Sequence, residues 1–324
     1  MRVICERISL FVIAIGFVLG SLWCEAASEK TAVNEYEIVL IQDSKIPLSA
    51  ETKILQPKAS GSIVYTAGES SIDASNAAEG YVMIKYYGKS NKAKVRISRE
   101  GSTKYTYNLR ADGEFEVFPL PSGNGNYQIT VFYQVSGDQY AQAQAQSIKV
   151  ELRNSLLPFL YPNQFVNFNA GSKIVSKSNA LVKDLDSDLE IIASVYDYVI
   201  QNISYDNDKA RLVSENKLSG YLPNVDSILE AKKGICFDYA ALMSAMLRSQ
   251  QIPARMELGY VSGGLYHAWI STYVKEIGWI NGAIHFDGKN WKLMDPTFAS
   301  NGAGSKEIMQ FVGDGDNYQT VYVY

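Results

Sequence analysis

The hydrophobic pattern of this chain changes near Asn154, and that change limits the folds open to it. Before this point, apolar and polar residues alternate in short segments separated by Gly, Asn and Asp turns, for example at 94–98, 105–109 and 127–133. Alternation with period two is the pattern of strands with one buried face. Short strands spaced about 8–12 residues apart are typical of a β-sandwich.

After Asn154 the pattern becomes helical. Ser187 and Glu190 form a capping-box sequence. The apolar residues that follow them recur at helical spacing: Ile192, Val195, Tyr196 and Val199. Further helices are predicted over 226–232 and from Cys236 to just before Pro253, followed by strands over 256–261, 266–274, 291–294 and 321–324. Helices followed by an antiparallel sheet predict an α+β domain.

The N-terminus predicts export. Arg2 and Arg7 precede an apolar run over 9–23 and small residues ending at Ala27. This is the pattern of a cleaved signal peptide, because the run is shorter than the ~20 residues of a bilayer span. An uncleaved membrane anchor is the alternative. We expect a secreted or cell-surface protein.

The predicted organisation has four parts: a signal peptide over 1–26, an N-terminal strand or linker segment over 27–71, an Ig-like β-sandwich domain over 72–152 and a catalytic domain over 153–324. If the last two parts share few contacts, a chain beginning near Leu156 should fold alone.

Composition excludes several function classes. The net charge of −4 gives no basic surface for nucleic acid, and no polybasic membrane patch is present. Two histidines and three cysteines without a CxxC pair argue against zinc fingers and iron–sulfur clusters. We therefore expect no cofactor, no metal, no nucleic acid, no membrane contact after signal cleavage, and a monomer.

One cysteine remains after signal cleavage, which removes Cys5 and Cys24. Cys236 cannot form an internal disulfide, so it is either buried filler or a reactive thiol. His267 on a predicted strand and Asp295 at the end of another complete a nucleophile, a base and a carboxylate that orients the base. A position at the first turn of a helix favours the thiolate of Cys236, and Gly234 just before it permits a tight turn.

Four ordered motifs around these residues resemble the transglutaminase-like superfamily, in the secreted bacterial form with a β-sandwich ahead of the core. They are Gly234-Ile235-Cys236-Phe237-Asp238-Tyr239-Ala240, Pro253-Ala254-Arg255 with Gly259-Tyr260, His267-Ala268-Trp269, and Asp295-Pro296-Thr297. The resemblance spans about residues 189–298. It implies a papain-like thiol fold in which Cys236 is the nucleophile, His267 the base and Asp295 the orienting residue.

The resemblance leaves the reaction open, because the superfamily includes transglutaminases, proteases, amidases and inactive members. We favour hydrolysis of amide bonds in a protein or peptide, which could be associated with the cell wall, over cross-linking. The alternative is a non-catalytic module that binds peptide or cell wall. Tyr205 is a candidate oxyanion donor or a packed core residue. Asp238 is expected to be a charge on the helix face or a helix cap, and Arg255 either to support the fold or to hold a substrate carboxylate.

Overall fold

The computed structural model describes residues 54–261, 264–275, 277–280, 283–286, 291–294 and 318–324. The predicted signal peptide, most of the predicted segment over 27–71, and Asp295 lie outside these ranges. Among the helices within them, none has the length and apolar character needed to cross a bilayer.

Residues 64–150 form a β-sandwich of two antiparallel four-stranded sheets, in the orders β1-β2-β3-β6 and β5-β4-β7-β8. The strands are β1 (Val64–Ala67), β2 (Ser70–Asp73), β3 (Tyr81–Tyr86), β4 (Ala93–Arg99), β5 (Lys104–Leu109), β6 (Glu116–Pro119), β7 (Gly125–Ser136) and β8 (Gln139–Val150). Buried residues of both sheets, such as Ile84 and Val131, belong to one apolar cluster. The sandwich predicted from the alternating pattern is therefore present.

The sandwich starts earlier than the predicted boundary at residue 72, because β1 and the first residues of β2 precede it. The sequence of β2 is mostly polar, yet all of its residues are buried. Hydrogen bonds make this burial possible: Ser70 donates to Gln144 on β8 at 2.8 Å, and the Asp73 carboxylate accepts from the Gly61 N–H at 2.8 Å. A strand stabilised by polar contacts gives no hydrophobic alternation, so the sequence pattern did not reveal it.

The second half contains the predicted helices and antiparallel sheet. Its described helices are α1 (Lys173–Val182), α2 (Asp188–Asn202), α3 (Asn207–Ser214), α4 (Val225–Ala231) and α5 (Cys236–Ser249). Its described strands are β9 (Ser204–Tyr205), β10 (Lys233–Gly234), β11 (Ala254–Val261), β12 (Leu265–Val274), β13 (Gly278–Ile280), β14 (Ala283–Phe286), β15 (Trp291–Met294) and β16 (Tyr318–Val323). The four strands of the larger sheet follow the order β13-β12-β11-β16, and the α+β prediction is confirmed.

Local sequence explains the two helices that matter most for the site. The Ser187 hydroxyl accepts a hydrogen bond from the Glu190 N–H at 3.3 Å at the start of α2, and the predicted apolar stripe of this helix is buried. Helix α5 is rich in Ala, Leu and Met, which are strong helix formers. It packs against α1, α2 and α4 and against the strands β11 and β12.

An aromatic cluster joins the sandwich to the second half. Tyr107 on β5 lies 5.9 Å from Tyr324 and 5.8 Å from Phe165, measured between ring centroids. Phe165 lies 4.4 Å from Tyr324 and 5.7 Å from Phe237, the second residue of α5. Tyr107 and Tyr324 are both buried, at 2% and 5% exposure. The apolar core is therefore continuous from the sandwich to the start of α5.

The condition for independent folding, few contacts between the two halves, is therefore not met. A chain beginning at Leu156 would leave Phe165 without the Tyr107 ring, and Tyr324 without the rings of both Tyr105 and Tyr107. Exposing apolar surface costs about 25 cal/mol per Å². We therefore expect this shortened chain not to fold stably.

The aromatic cluster predicts coupled unfolding. Replacement Tyr107→Ala should lower the free energy of unfolding by about 3–5 kcal/mol, as expected for a large aromatic removed from a core. Tyr107→Phe should change it by less than about 1 kcal/mol, since the buried hydroxyl has no hydrogen-bond partner among the described residues. Urea unfolding followed by tryptophan fluorescence measures both. Tyr87→Ala, at a tyrosine with 46% exposure, is the surface control. Unchanged stability in Tyr107→Ala would mean that the halves are energetically independent.

Candidate active site

Cys236 is the one residue of helix α5 that is not fully buried. All residues of α5 from Phe237 to Ser249 are buried, whereas Cys236 at the first helical position is only partly buried. A cysteine that filled space in the core would be enclosed like its neighbours. Because the rest of α5 is buried, the partial exposure of Cys236 favours a thiol that contacts solvent or a ligand. It argues against a cysteine that only fills space in the core.

The chain reaches Cys236 through a short parallel strand pair. Gly234 on β10 pairs with Tyr205 on β9, and the Gly234 carbonyl accepts from the Asp206 N–H at 2.8 Å. A Cβ atom on residue 234 would lie 2.6 Å from the Cβ of Asp238. Only glycine therefore fits at position 234, because the side chain of Asp238 occupies the space that a larger residue would need.

His267 lies on β12, one of the strands against which α5 packs. It is 5% exposed and pairs with Gly259 on β11. Its neighbour Tyr266 is close to Cys236: burial, and then the charges of Tyr322, Tyr260 and Cys236, raise the pKa of the Tyr266 phenol. Helix α5 packs against β12, so the elements that carry Cys236 and the predicted base His267 are neighbours.

Glycine at position 259 also makes room for an aromatic ring. A Cβ atom there would lie 2.9 Å from the Trp269 ring, as well as inside contact distance of the Gln319 carbonyl on β16. His267 and Trp269 are two residues apart on the same strand, so they lie on the same face of the sheet. Trp269 is buried and forms part of the wall next to His267.

Asp238 organises the first turn of α5. Its carboxylate is fully buried and accepts hydrogen bonds from the Ile235 N–H at 2.9 Å, the Lys209 ammonium at 2.8 Å and the Tyr221 hydroxyl at 2.5 Å. Lys209 also donates to the Tyr221 hydroxyl at 3.0 Å. The prediction that Asp238 caps its helix is confirmed, and its partners come from α3 and from the loop before α4.

Hydrogen bonds among Asp238, Lys209 and Tyr221 help to set the charge states of Lys209 and Tyr221. Burial alone would lower the pKa of Lys209, but hydrogen bonds to Asp238 and Tyr221 outweigh it and raise the value. Burial, together with the hydrogen bond to Asp238, raises the pKa of Tyr221 to about 12. Near neutral pH, Lys209 therefore carries its positive charge and Tyr221 remains a hydrogen-bond donor. Sequence analysis missed both residues, since each lies in a polar stretch with no motif.

The sequence also singled out Tyr205, Asp295 and Arg255. Tyr205 is half-buried and its backbone lies beside Gly234, two residues before Cys236. Asp295 is outside the described residues, so its part in the site stays a prediction. The Arg255 guanidinium stacks between Trp279, at 3.6 Å from the ring centroid, and Phe159, at 4.8 Å. This packing agrees with a role of Arg255 in the fold.

Residues 176–282 match the model of the Transglutaminase-like superfamily. The chain therefore contains a transglutaminase-like core, and the resemblance carried by its cysteine, arginine and histidine motifs is confirmed. The matched segment includes Cys236 and His267 and ends before Asp295.

Two curated relatives and one solved structure extend the comparison. The uncharacterized protein YebA of Bacillus subtilis is 23% identical over 199 residues, which is 55% of this chain and 26% of YebA. The UPF0252 protein MJ1282 of Methanocaldococcus jannaschii is 32% identical over 141 residues, 40% of this chain and 39% of that protein. The periplasmic domain of TgpA from Pseudomonas aeruginosa is 15% identical, with a TM-score of 0.33 over 76% of this chain and 100% of that domain. This chain thus spans well under half the length of the curated relatives.

The exposure of Cys236 predicts its reactivity. Iodoacetamide should alkylate Cys236 in the native protein, since its side chain is only partly buried and the reagent can reach the thiol. Mass spectrometry of proteolytic fragments gives the extent of modification at each cysteine. A Cys236→Ser chain is the control for labelling elsewhere. Modification of Cys236 only after denaturation in urea would contradict this prediction and restore the interpretation as buried filler.

Proposed function

We propose that this chain is a secreted thiol acyl-transfer enzyme that acts on amide bonds of proteins or peptides. The observation that carries the proposal is the single partly exposed residue of α5, which is a cysteine at the helix start beside the strand that bears His267. The transglutaminase-like core supports a reaction through a thioester. The predicted signal peptide supports an extracellular substrate.

In this mechanism, the Cys236 thiolate attacks the carbonyl carbon of the amide and forms a tetrahedral intermediate. His267 donates a proton to the departing amine as the C–N bond breaks, which leaves a thioester on Cys236. His267 then takes a proton from the water or amine that attacks the thioester, and the Cys236 thiolate is released. Asp295 is proposed to hold the imidazole of His267 in the required tautomer.

The oxyanion of the intermediate requires donors near Cys236. The first N–H groups of a helix have no intrahelical acceptor, so the N–H of Cys236 can donate to it. Tyr205 is the proposed second donor. The pairing of Tyr205 with Gly234 supports this role, because it holds the tyrosine backbone close to the start of α5.

We favour hydrolysis over cross-linking because the described residues leave the turn before β12 uncovered. Gly264 in this turn has a φ of +76°, and a Cβ atom placed on it would meet no atom of the described residues within 4 Å. The next residue, Leu265, is 40% exposed. An acyl-enzyme that water can reach is hydrolysed unless the site binds and orients an amine. We therefore propose water as the usual acceptor.

Two assays on one substrate distinguish the outcomes. The protein is incubated with casein and a labelled primary amine, with and without calcium. We expect new peptide termini by mass spectrometry and no incorporation of label. Replacement Cys236→Ser should abolish cleavage, and His267→Asn should reduce its rate at least 100-fold, as for loss of a general base.

The matched control is His285→Asn, which removes the other histidine of the chain from strand β14 and should leave cleavage unchanged. Label incorporation that depends on Cys236 would replace hydrolysis by amine transfer as the main reaction. Neither reaction over a broad panel of proteins and peptides would favour the non-catalytic binding module.

A further inference from the structure

We infer that Lys209 is a positioning residue for the nucleophile: it neutralises the buried Asp238 carboxylate, so that this carboxylate can fix the start of α5 without opposing formation of the Cys236 thiolate. The inference rests on the proposed function, in which the thiolate of Cys236 is the attacking group.

Geometry gives Asp238 its positioning role. Its carboxylate holds the Ile235 N–H, which belongs to the peptide unit immediately before the one that supplies the N–H of Cys236. The packing of Asp238 against Gly234 fixes the chain on the other side of this peptide. The direction of the N–H groups at the start of α5 therefore depends on where the Asp238 side chain is held.

Charge gives Lys209 its role. The Asp238 carboxylate is buried in the first turn of α5 and is bonded to the N–H of Ile235, the residue before Cys236. An unpaired negative charge in this turn would disfavour ionisation of the thiol. It would also oppose the benefit of the helix dipole. The Lys209 ammonium, with 22% of its side chain exposed, forms a salt bridge with Asp238 at 2.8 Å. The ion pair has no net charge, so Asp238 can hold the Ile235 N–H without placing an unpaired negative charge in the turn that begins with Cys236.

The other ionisable groups around this turn have their own partners or belong to the proposed site. Lys233 on β10 pairs with Asp206 at 3.4 Å, and these two charges also cancel. The remaining groups near the turn are the phenols of Tyr205, Tyr221 and Tyr266 and the imidazole of His267. Lys209 is the cation that contacts Asp238 among the described residues.

The test measures the rate of Cys236 alkylation by iodoacetamide from pH 5 to pH 10 in the full-length protein. Replacement Lys209→Met should slow alkylation at pH 6 about tenfold and raise the midpoint of the pH profile by about 1 pH unit. Tyr221→Phe keeps the charges and should slow it by less than about threefold. The double variant Lys209→Met with Asp238→Asn has a neutral pair again, and its midpoint should return to within about 0.3 pH units of the parent value.

This recovery separates electrostatics from structure. A double variant that is still alkylated as slowly as Lys209→Met would show that the charge of Asp238 does not cause the defect, and the inference would be overturned. An unchanged profile in Lys209→Met would overturn it as well. Asp208→Asn and Lys217→Gln, at exposed positions on or near α3, are the charge-matched controls.

Circular dichroism and thermal unfolding establish that each variant is folded before alkylation. If Lys209→Met does not fold, Lys209→Gln with and without Asp238→Asn gives the same comparison, since glutamine can donate to the carboxylate. A parent midpoint near the ordinary thiol value of about 8.5 would count against the proposed function. The difference between the single and double variants would still decide the role of Lys209.

Discussion

Helix α5 is enclosed by α1, α2 and α4 and by the strands β11 and β12, and only its first residue is partly exposed. A helix buried on all sides needs apolar or small residues all round, and α5 has them in its alanines, leucines and methionines. The other elements of the second half are arranged around it. The position of the Cys236 thiol is consequently fixed by the packing of the whole core and not by a surface loop.

Two buried charged side chains lie near the two ends of this helix, and both form several hydrogen bonds. Asp238 accepts three hydrogen bonds at the N-terminal end. At the C-terminal end the fully buried Arg248 donates to the main-chain oxygens of Ala254, Tyr161 and Tyr324. Burial lowers the pKa of Arg248 to about 9, so it stays charged at neutral pH. Arg248 thereby ties α5 to β11, to the connecting segment and to the residue after β16.

The sandwich takes part in the same arrangement. Phe237 follows the candidate nucleophile directly and packs on Phe165, which in turn contacts Tyr107 of β5. The Gln164 amide adds polar links to the Asn108 carbonyl at 2.8 Å and the Glu116 carboxylate at 3.1 Å. The sandwich therefore supports the start of α5 through close packing, in which a change on one side is felt on the other.

The sequence by itself determined the sandwich strands with alternating residues, helices α2 and α5, and the order of the cysteine and histidine motifs, because these depend on local periodicity and spacing. It did not reveal the polar strand β2 or the short helix α3, whose stability comes from distant partners. Only the tertiary structure decided that Cys236 is the partly exposed residue of a buried helix. It also brought Lys209, Tyr221 and Asp238 together. Both facts depend on which surfaces pack together in three dimensions. A buried carboxylate such as Asp238 must be hydrogen-bonded, and its partners can come from distant parts of the chain, so spacing along the sequence does not identify them.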